Sequence, residues 1–167
     1  MKVFIGTVTT GACLSVISQT KADNMFQITP SASAAKVIAN DNCFQVCFTD
    51  PNQGTASADY IASKGLATKV AVIYNSSDAY SSGIYDNFKA EAAAKGLDLV
   101  ASEAFTSDSK QDFSSQLSKI KASGAELIFL PIYYQEASLI LSQAKNAGIT
   151  AKFFGCDGLD GLLNIEN

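Results

Sequence analysis

The stretch 125–158 constrains the fold more than any other part of the chain. Leu127–Leu130 is a short, wholly apolar run, which is typical of a strand covered on both faces. Apolar residues at helical spacing follow over 137–144, and 152–154 predicts a second strand. A strand, a crossover helix and a strand of these lengths make a right-handed parallel unit, so both strands point the same way.

Polar and aromatic residues stand where these two strands end. Tyr133 and Tyr134 follow the first strand, and Cys156 and Asp157 follow the second. In open α/β sheets, ligands bind beyond the carboxyl ends of the strands. Aromatic rings and a carboxylate at that edge suit a small cation, such as an ammonium group.

The rest of the chain repeats the alternation of strand and helix. Glycines follow four predicted helices and indicate their ends: Gly65, Gly96, Gly124 and Gly148. This pattern predicts an α/β fold with a doubly wound parallel sheet. We divide the chain into a βαβ segment (1–48), a linker or crossover marked by Pro and Gly (49–54), and a larger α/β domain (55–167).

Charge and residue usage exclude several functions. The net charge is −4, all twelve basic residues are lysines, and there is no histidine. Without arginine the chain has no side chain that can form paired hydrogen bonds with a phosphate or a guanine. Its negative net charge also argues against nucleic acid as a partner. Without histidine it lacks His-based catalytic triads and most zinc sites. Glycine-rich nucleotide motifs are missing too, so we expect no enzyme activity, no cofactor and no metal.

Cysteine usage and hydropathy add two expectations. The four cysteines have no C-x-x-C pair, and we expect them to be small buried apolar residues rather than disulfides. No apolar run approaches the roughly 20 residues that span a bilayer, and the first residues resemble a strand more than an export signal.

Short segments spread along the chain match one known family in order and spacing. These segments are 5–12, 28–33, 50–54, 72–74, 80–83, 112–113 and 125–158. Together they resemble the leucine/isoleucine/valine-type periplasmic binding proteins, which are the amino-acid receptors of ABC transporters.

The resemblance implies a type I periplasmic-binding-protein fold with flavodoxin-like lobes that close on a ligand. The chain would hold the end of lobe one, a crossover and most of lobe two, as an internal fragment. The implied partners are a small amino acid of the branched-chain type and the membrane permease of an ABC transporter. The implied location of the full-length protein is periplasmic or extracellular, with a lipoprotein anchor. The alternative is a truncated lobe that self-associates and binds no ligand.

The family positions that hold the ligand carboxylate correspond here to Thr10, Gly11, Ser31 and Ser33. Hydroxyl and backbone N–H donors near helix starts suit an anion. The alternative for Thr10 and Ser33 is that they are ordinary helix N-caps.

The family positions that hold the ligand ammonium correspond to Tyr80, Tyr133 and Asp157. The family often has Glu where this chain has Asp157, which has a shorter reach. The alternative for Asp157 and Gly158 is an ordinary turn pair. Tyr74 and Tyr134 are interpreted as packing or rim residues.

Residues 1–48 pose a folding problem, because a lone βαβ unit buries too little apolar surface to be stable. The segment could extend the sheet of the larger domain, pair with a second copy, or stay disordered. We expect a homodimer, since the apolar strands need covering.

Overall fold

The computed structural model describes residues 2–165 and places them in two α/β units with separate sheets. The elements of the first unit are β1 (Lys2–Ile5), α1 (Thr10–Ala22), β2 (Met25–Thr29), a 3-10 helix (Ala35–Ile38) and β3 (Cys43–Gln45). Its strands are parallel in the order β1-β2-β3. The idea that this segment extends the sheet of the larger domain is therefore wrong.

The second unit is the larger one. Its elements are α2 (Asp50–Ser63), β4 (Lys69–Asn75), α3 (Ala79–Ala94), β5 (Asp98–Phe105), α4 (Ser114–Ser123), β6 (Leu127–Leu130), α5 (Tyr134–Asn146) and β7 (Lys152–Gly155). All four strands are parallel, in the order β5-β4-β6-β7. None of the helices within residues 2–165 is long and apolar enough to cross a membrane.

The central strands β4 and β6 separate two hydrophobic cores. Val72 and Phe129 point to the core that also contains Phe88 of α3. Their neighbours Ile73 and Ile128 point to the other core, which is packed by α4 and α5. Successive side chains of a strand alternate between faces, so a strand covered on both sides needs apolar residues at every position. The predicted doubly wound fold and the apolar run of β6 are confirmed.

The four predicted helix ends are confirmed by their backbone. Gly65, Gly96, Gly124 and Gly148 have φ angles of 59, 73, 70 and 68°. Residues with a Cβ rarely adopt this left-handed conformation, so glycine is favoured within two residues of each helix end.

The segment 49–54 differs from its predicted role as a linker. Helix α2 begins at Asp50, and Pro51 stands in its first turn. Proline is tolerated there because an N–H in the first turn has no helical partner. The crossover between the two units therefore ends at Thr49.

The first sheet has one covered face and one open face. Helix α1 packs on the first face, where Cys13 is completely buried. The opposite face exposes Val3, Ile5, Phe44 and Val46, and we call these four residues the open face. Ile5 at the end of β1 and Val46 just after β3 are 78% and 72% exposed, which is unusual for large apolar residues.

Candidate functional site

A cleft of about 540 Å³ lies between the two units, beyond the carboxyl ends of the strands. Its lining residues are Val8, Thr9, Thr10, Ser31, Ser33, Tyr80, Tyr133, Tyr134, Asp157, Gly158 and Asp160. Six of the seven residues selected from the sequence are among them. The seventh, Gly11, is exposed in the first turn of α1 and does not line the cleft.

The second unit contributes an acid and two stacked rings. The Tyr80 hydroxyl donates a hydrogen bond of 2.6 Å to Oδ1 of Asp157, and the rings of Tyr80 and Tyr133 stack at 4.7 Å. Burial raises the pKa of both tyrosine hydroxyls well above the usual value, and the negative charge of Asp157 adds to the effect. Both rings therefore stay neutral, while Asp157 itself is exposed to the cleft.

Gly158 allows this arrangement because it has no side chain. Its N–H donates a hydrogen bond of 2.9 Å to the Tyr80 hydroxyl. A Cβ at this position would lie 2.7 Å from the same hydroxyl oxygen and 2.6 Å from the carbonyl oxygen of Ile132. The pair 157–158 is thus part of a short 3-10 helix (Asp157–Leu159) that is held against Tyr80.

The first unit contributes hydroxyl groups. Thr10 is 1% exposed, and its Oγ1 accepts hydrogen bonds from the N–H groups of Ser33 (3.2 Å) and Ala34 (3.3 Å). Helix α1 has Thr9 as its N-cap, and the 3-10 helix has Ala34, so neither Thr10 nor Ser33 is a helix cap. Thr10 instead ties the start of α1 to the loop after β2, and its own O–H remains a donor.

The charged side chains that line the cleft are acidic. Among the described residues 2–165, Asp157 and Asp160 line it and no lysine does. Two more acids, Asp50 and Asp78, lie close enough to raise the pKa of Tyr133. A ligand with a positive group is favoured here, and any anionic group of that ligand must be bound by neutral donors.

The described residues offer little support for metal binding. Within residues 2–165, no group of three or more His, Cys, Asp or Glu is placed to hold a metal ion. The four cysteines are free thiols.

Two interpretations of tyrosines agree with their positions. Tyr74 stacks on Tyr85 at 4.0 Å inside the second unit, so it is a packing residue. Tyr134 stands at the start of α5 and lines the cleft, so it is a rim residue.

Sequence reasoning missed Val8, Thr9, Gly158 and Asp160 as lining residues. Each follows a strand closely, and that position is the signal that could have found them. It also missed Asp50, which lies behind Ser33. An acid directly before proline was interpreted as part of a linker, whereas it begins a helix.

Comparison with known proteins identifies the family. Residues 1–164 match the family model described as periplasmic binding protein. The Leu/Ile/Val-binding protein homolog 3 of Brucella melitensis is 33% identical over 161 residues, which are 95% of this chain and 43% of that protein. A leucine-, isoleucine-, valine-, threonine- and alanine-binding protein of Pseudomonas aeruginosa is 29% identical over 82% of this chain and 37% of its own.

Solved structures agree with the sequence comparison. A leucine binding protein from Thermotoga maritima superposes with a TM-score of 0.87 at 29% identity, over 93% of this chain and 44% of that one. A branched-chain amino acid transporter substrate binding protein from Streptococcus pneumoniae, in complex with isoleucine, gives 0.85 at 29% identity, with the same coverage. The chain spans less than half the length of these relatives. By its sequence and its fold, the chain belongs to the periplasmic binding protein family.

Proposed function

We propose that the cleft binds the zwitterion of a small amino acid of the branched-chain type. One observation carries the proposal: an exposed carboxylate beside two stacked tyrosines faces a group of neutral hydroxyls across a single cleft. In this role the chain is part of a solute-binding protein, periplasmic or extracellular, that serves the membrane permease of an ABC transporter. The names of the relatives support the ligand class and the transport role.

The ammonium group is bound at the second unit. Asp157 supplies the negative charge, and the faces of Tyr80 and Tyr133 add attraction for a cation. The hydrogen bond from Tyr80 holds the carboxylate in place, which partly offsets the short reach of aspartate relative to glutamate.

The carboxylate group is bound at the first unit. Thr10 and Ser33 are both 1% exposed, and Ser31 is partly buried next to them, so all three side chains are packed into the cleft wall. Neutral donors suffice here, because the ligand brings its own positive charge.

A ligand titration tests the proposal. We expect leucine, isoleucine and valine to shift the backbone amide signals of Ser33 and Gly158 in a heteronuclear NMR titration. Weak affinity is expected, since the chain covers 43% of the length of a relative. Asp157→Asn should weaken binding by roughly tenfold or more, because a charge-assisted hydrogen bond is lost.

The matched control is Asp108→Asn, which removes an exposed acid outside the cleft and should leave the affinity unchanged. Benzoate serves as a ligand with a carboxylate and no ammonium group. Binding of benzoate in preference to leucine would contradict the role of Asp157. Absence of any amino-acid binding would favour the alternative, a lobe without ligand-binding activity.

We further propose that two copies of this chain associate through the open face. The face consists of four large apolar side chains on or next to β1 and β3, the two outer strands of the sheet. A self-complementary patch of this kind is typical of a twofold dimer.

A further inference from the structure

Asp50 lies directly behind the cleft wall. It is the first residue of α2, and its N–H donates a hydrogen bond of 2.9 Å to the carbonyl oxygen of Ser33. On its other side is a second cavity of about 270 Å³, between the first unit and α3. Asp50 therefore separates this cavity from Ser33, which lines the cleft.

The carboxyl group of Asp50 is buried without a hydrogen-bonding partner. The residue is 1% exposed, and neither carboxylate oxygen has a partner within residues 2–165. Helix α3 packs against the carboxyl group at Gly83. A Cβ at this position would lie 3.5 Å from Oδ2, which is an ordinary van der Waals contact. An unpaired charge in such a place is costly, so the neutral acid is more favoured here than in an exposed aspartate.

Burial is the main reason why the pKa of Asp50 is raised, and neighbouring carboxylates add to the effect. Asp157 from the end of β7 and Asp78 from the N-cap of α3 both raise the pKa of Asp50 through their negative charge. Lys36 and Asp86 line the cavity beyond it and carry opposite charges. Burial is the largest effect and raises the pKa to about 6, although the nearby Ser33 hydroxyl and Gln53 amide both lower it.

Ser33 has one group left for a ligand. Its N–H donates to Thr10 Oγ1, and its carbonyl oxygen accepts from the N–H of Asp50. The hydroxyl lines the cleft and is also near enough to the Asp50 carboxyl group to lower its pKa, so it can turn toward either one. These two directions exclude each other, since a hydroxyl has one proton to donate.

We propose that Asp50 is a positioning residue for Ser33 and takes up one proton from solvent when the cleft binds a carboxylate. The inference rests on the proposed function, because the ligand carboxylate is the group that faces Ser33. Ionised Asp50 attracts the Ser33 proton and turns the hydroxyl away from the cleft. Neutral Asp50 donates its own proton to the Ser33 oxygen, and the Ser33 proton is then available to the ligand.

The test is the pH dependence of leucine affinity, measured by the same NMR titration between about pH 5 and about pH 8. The slope of log Kd against pH gives the number of protons taken up. If binding raises the pKa of Asp50 by about one unit, leucine binds about tenfold more tightly at the acidic end. Asp50→Asn, whose amide donates without titrating, should keep the tight binding and remove the pH dependence.

The matched control is Asp59→Asn, in the same helix but paired with Lys95 on the surface, and it should keep the slope of the unmodified chain. A pH-independent affinity, or a slope that survives in Asp50→Asn, would overturn this inference and leave the proposed function standing. No amino-acid binding at either pH would overturn both. If Asp50→Asn does not fold, Ser33→Ala replaces it. That variant should weaken binding at the acidic end and abolish the slope, and a preserved slope would again count against the inference.

Discussion

At the scale of single residues, burial gives two carboxyl groups different properties. Asp157 is exposed and accepts a hydrogen bond from Tyr80, so its carboxyl group lies at the surface of the cleft. Asp50 is buried and unpartnered, so its charge is unfavourable. In the roles that we propose, the same residue type attracts the ligand ammonium group at one position and takes up a proton at the other.

The buried acid predicts a pH-dependent stability. The pKa of Asp50 rises from an ordinary 3.8 to about 6 in the folded chain, so the folded state binds the proton more tightly than the unfolded state. The favourable contribution is complete below about pH 4 and is lost as the pH rises through about 6, a change of about 3 kcal/mol at most. Asp50→Asn should therefore stabilise the chain at neutral pH and have little effect at about pH 4.

Thermal unfolding of both proteins across this pH range measures the difference. Asp59→Asn, at a half-buried surface position of the same helix, should show no such pattern. An equal effect of Asp50→Asn at all pH values would mean that the carboxyl group does not titrate in this window.

At the scale of elements, α2 and α3 pack closely because Gly54 has no side chain. A Cβ at Gly54 would lie 2.4 Å from the carbonyl oxygen of Ile84 and 2.7 Å from the backbone nitrogen of Phe88. Both atoms belong to the backbone of α3, which cannot move aside as a side chain could. This contact helps fix α3, and with it Tyr80, relative to the cleft.

Gly54→Ala should destabilise the chain by about 2 kcal/mol, because the two helices must separate to admit one methyl group. The comparison is Gly11→Ala in α1, where a Cβ meets no atom within 4 Å. That change should be neutral or stabilising by up to about 1 kcal/mol, since alanine favours helix. Urea denaturation gives both values, and similar effects at the two sites would contradict the packing argument.

At the scale of the whole molecule, the two units are unequally covered. The second sheet has helices on both faces, whereas the first sheet has its open face toward solvent. Contiguous apolar surface of this kind favours association, and a stable interface buries roughly 800 Å² on each partner.

We expect the chain to sediment as a dimer. Ile5→Glu combined with Val46→Glu should give a monomer, because two charges per copy would be buried at the contact. A paired change at exposed polar positions of the second unit, Gln135→Glu with Ser142→Glu, adds the same charge elsewhere and should leave the dimer intact. A monomer mass for the unmodified chain at tens of micromolar would disprove the association.

Much of the architecture was determined by the sequence alone. The apolar run of β6, the helical spacing of α5 and the glycines after four helices are local signals, and they predicted parallel strands with their ends at one edge. Residues that follow a strand are brought to that edge by topology, which is why Tyr133 and Asp157 could be selected without coordinates.

Only the tertiary structure decided how the site is assembled. The bond between Tyr80 and Asp157 joins residues 77 positions apart, and Thr10 binds N–H groups that a helix cap would not reach. The burial of Asp50 depends on α3 packing against the start of α2. Such contacts depend on which distant segments pack together, and the periodicity of residues along the chain does not determine that.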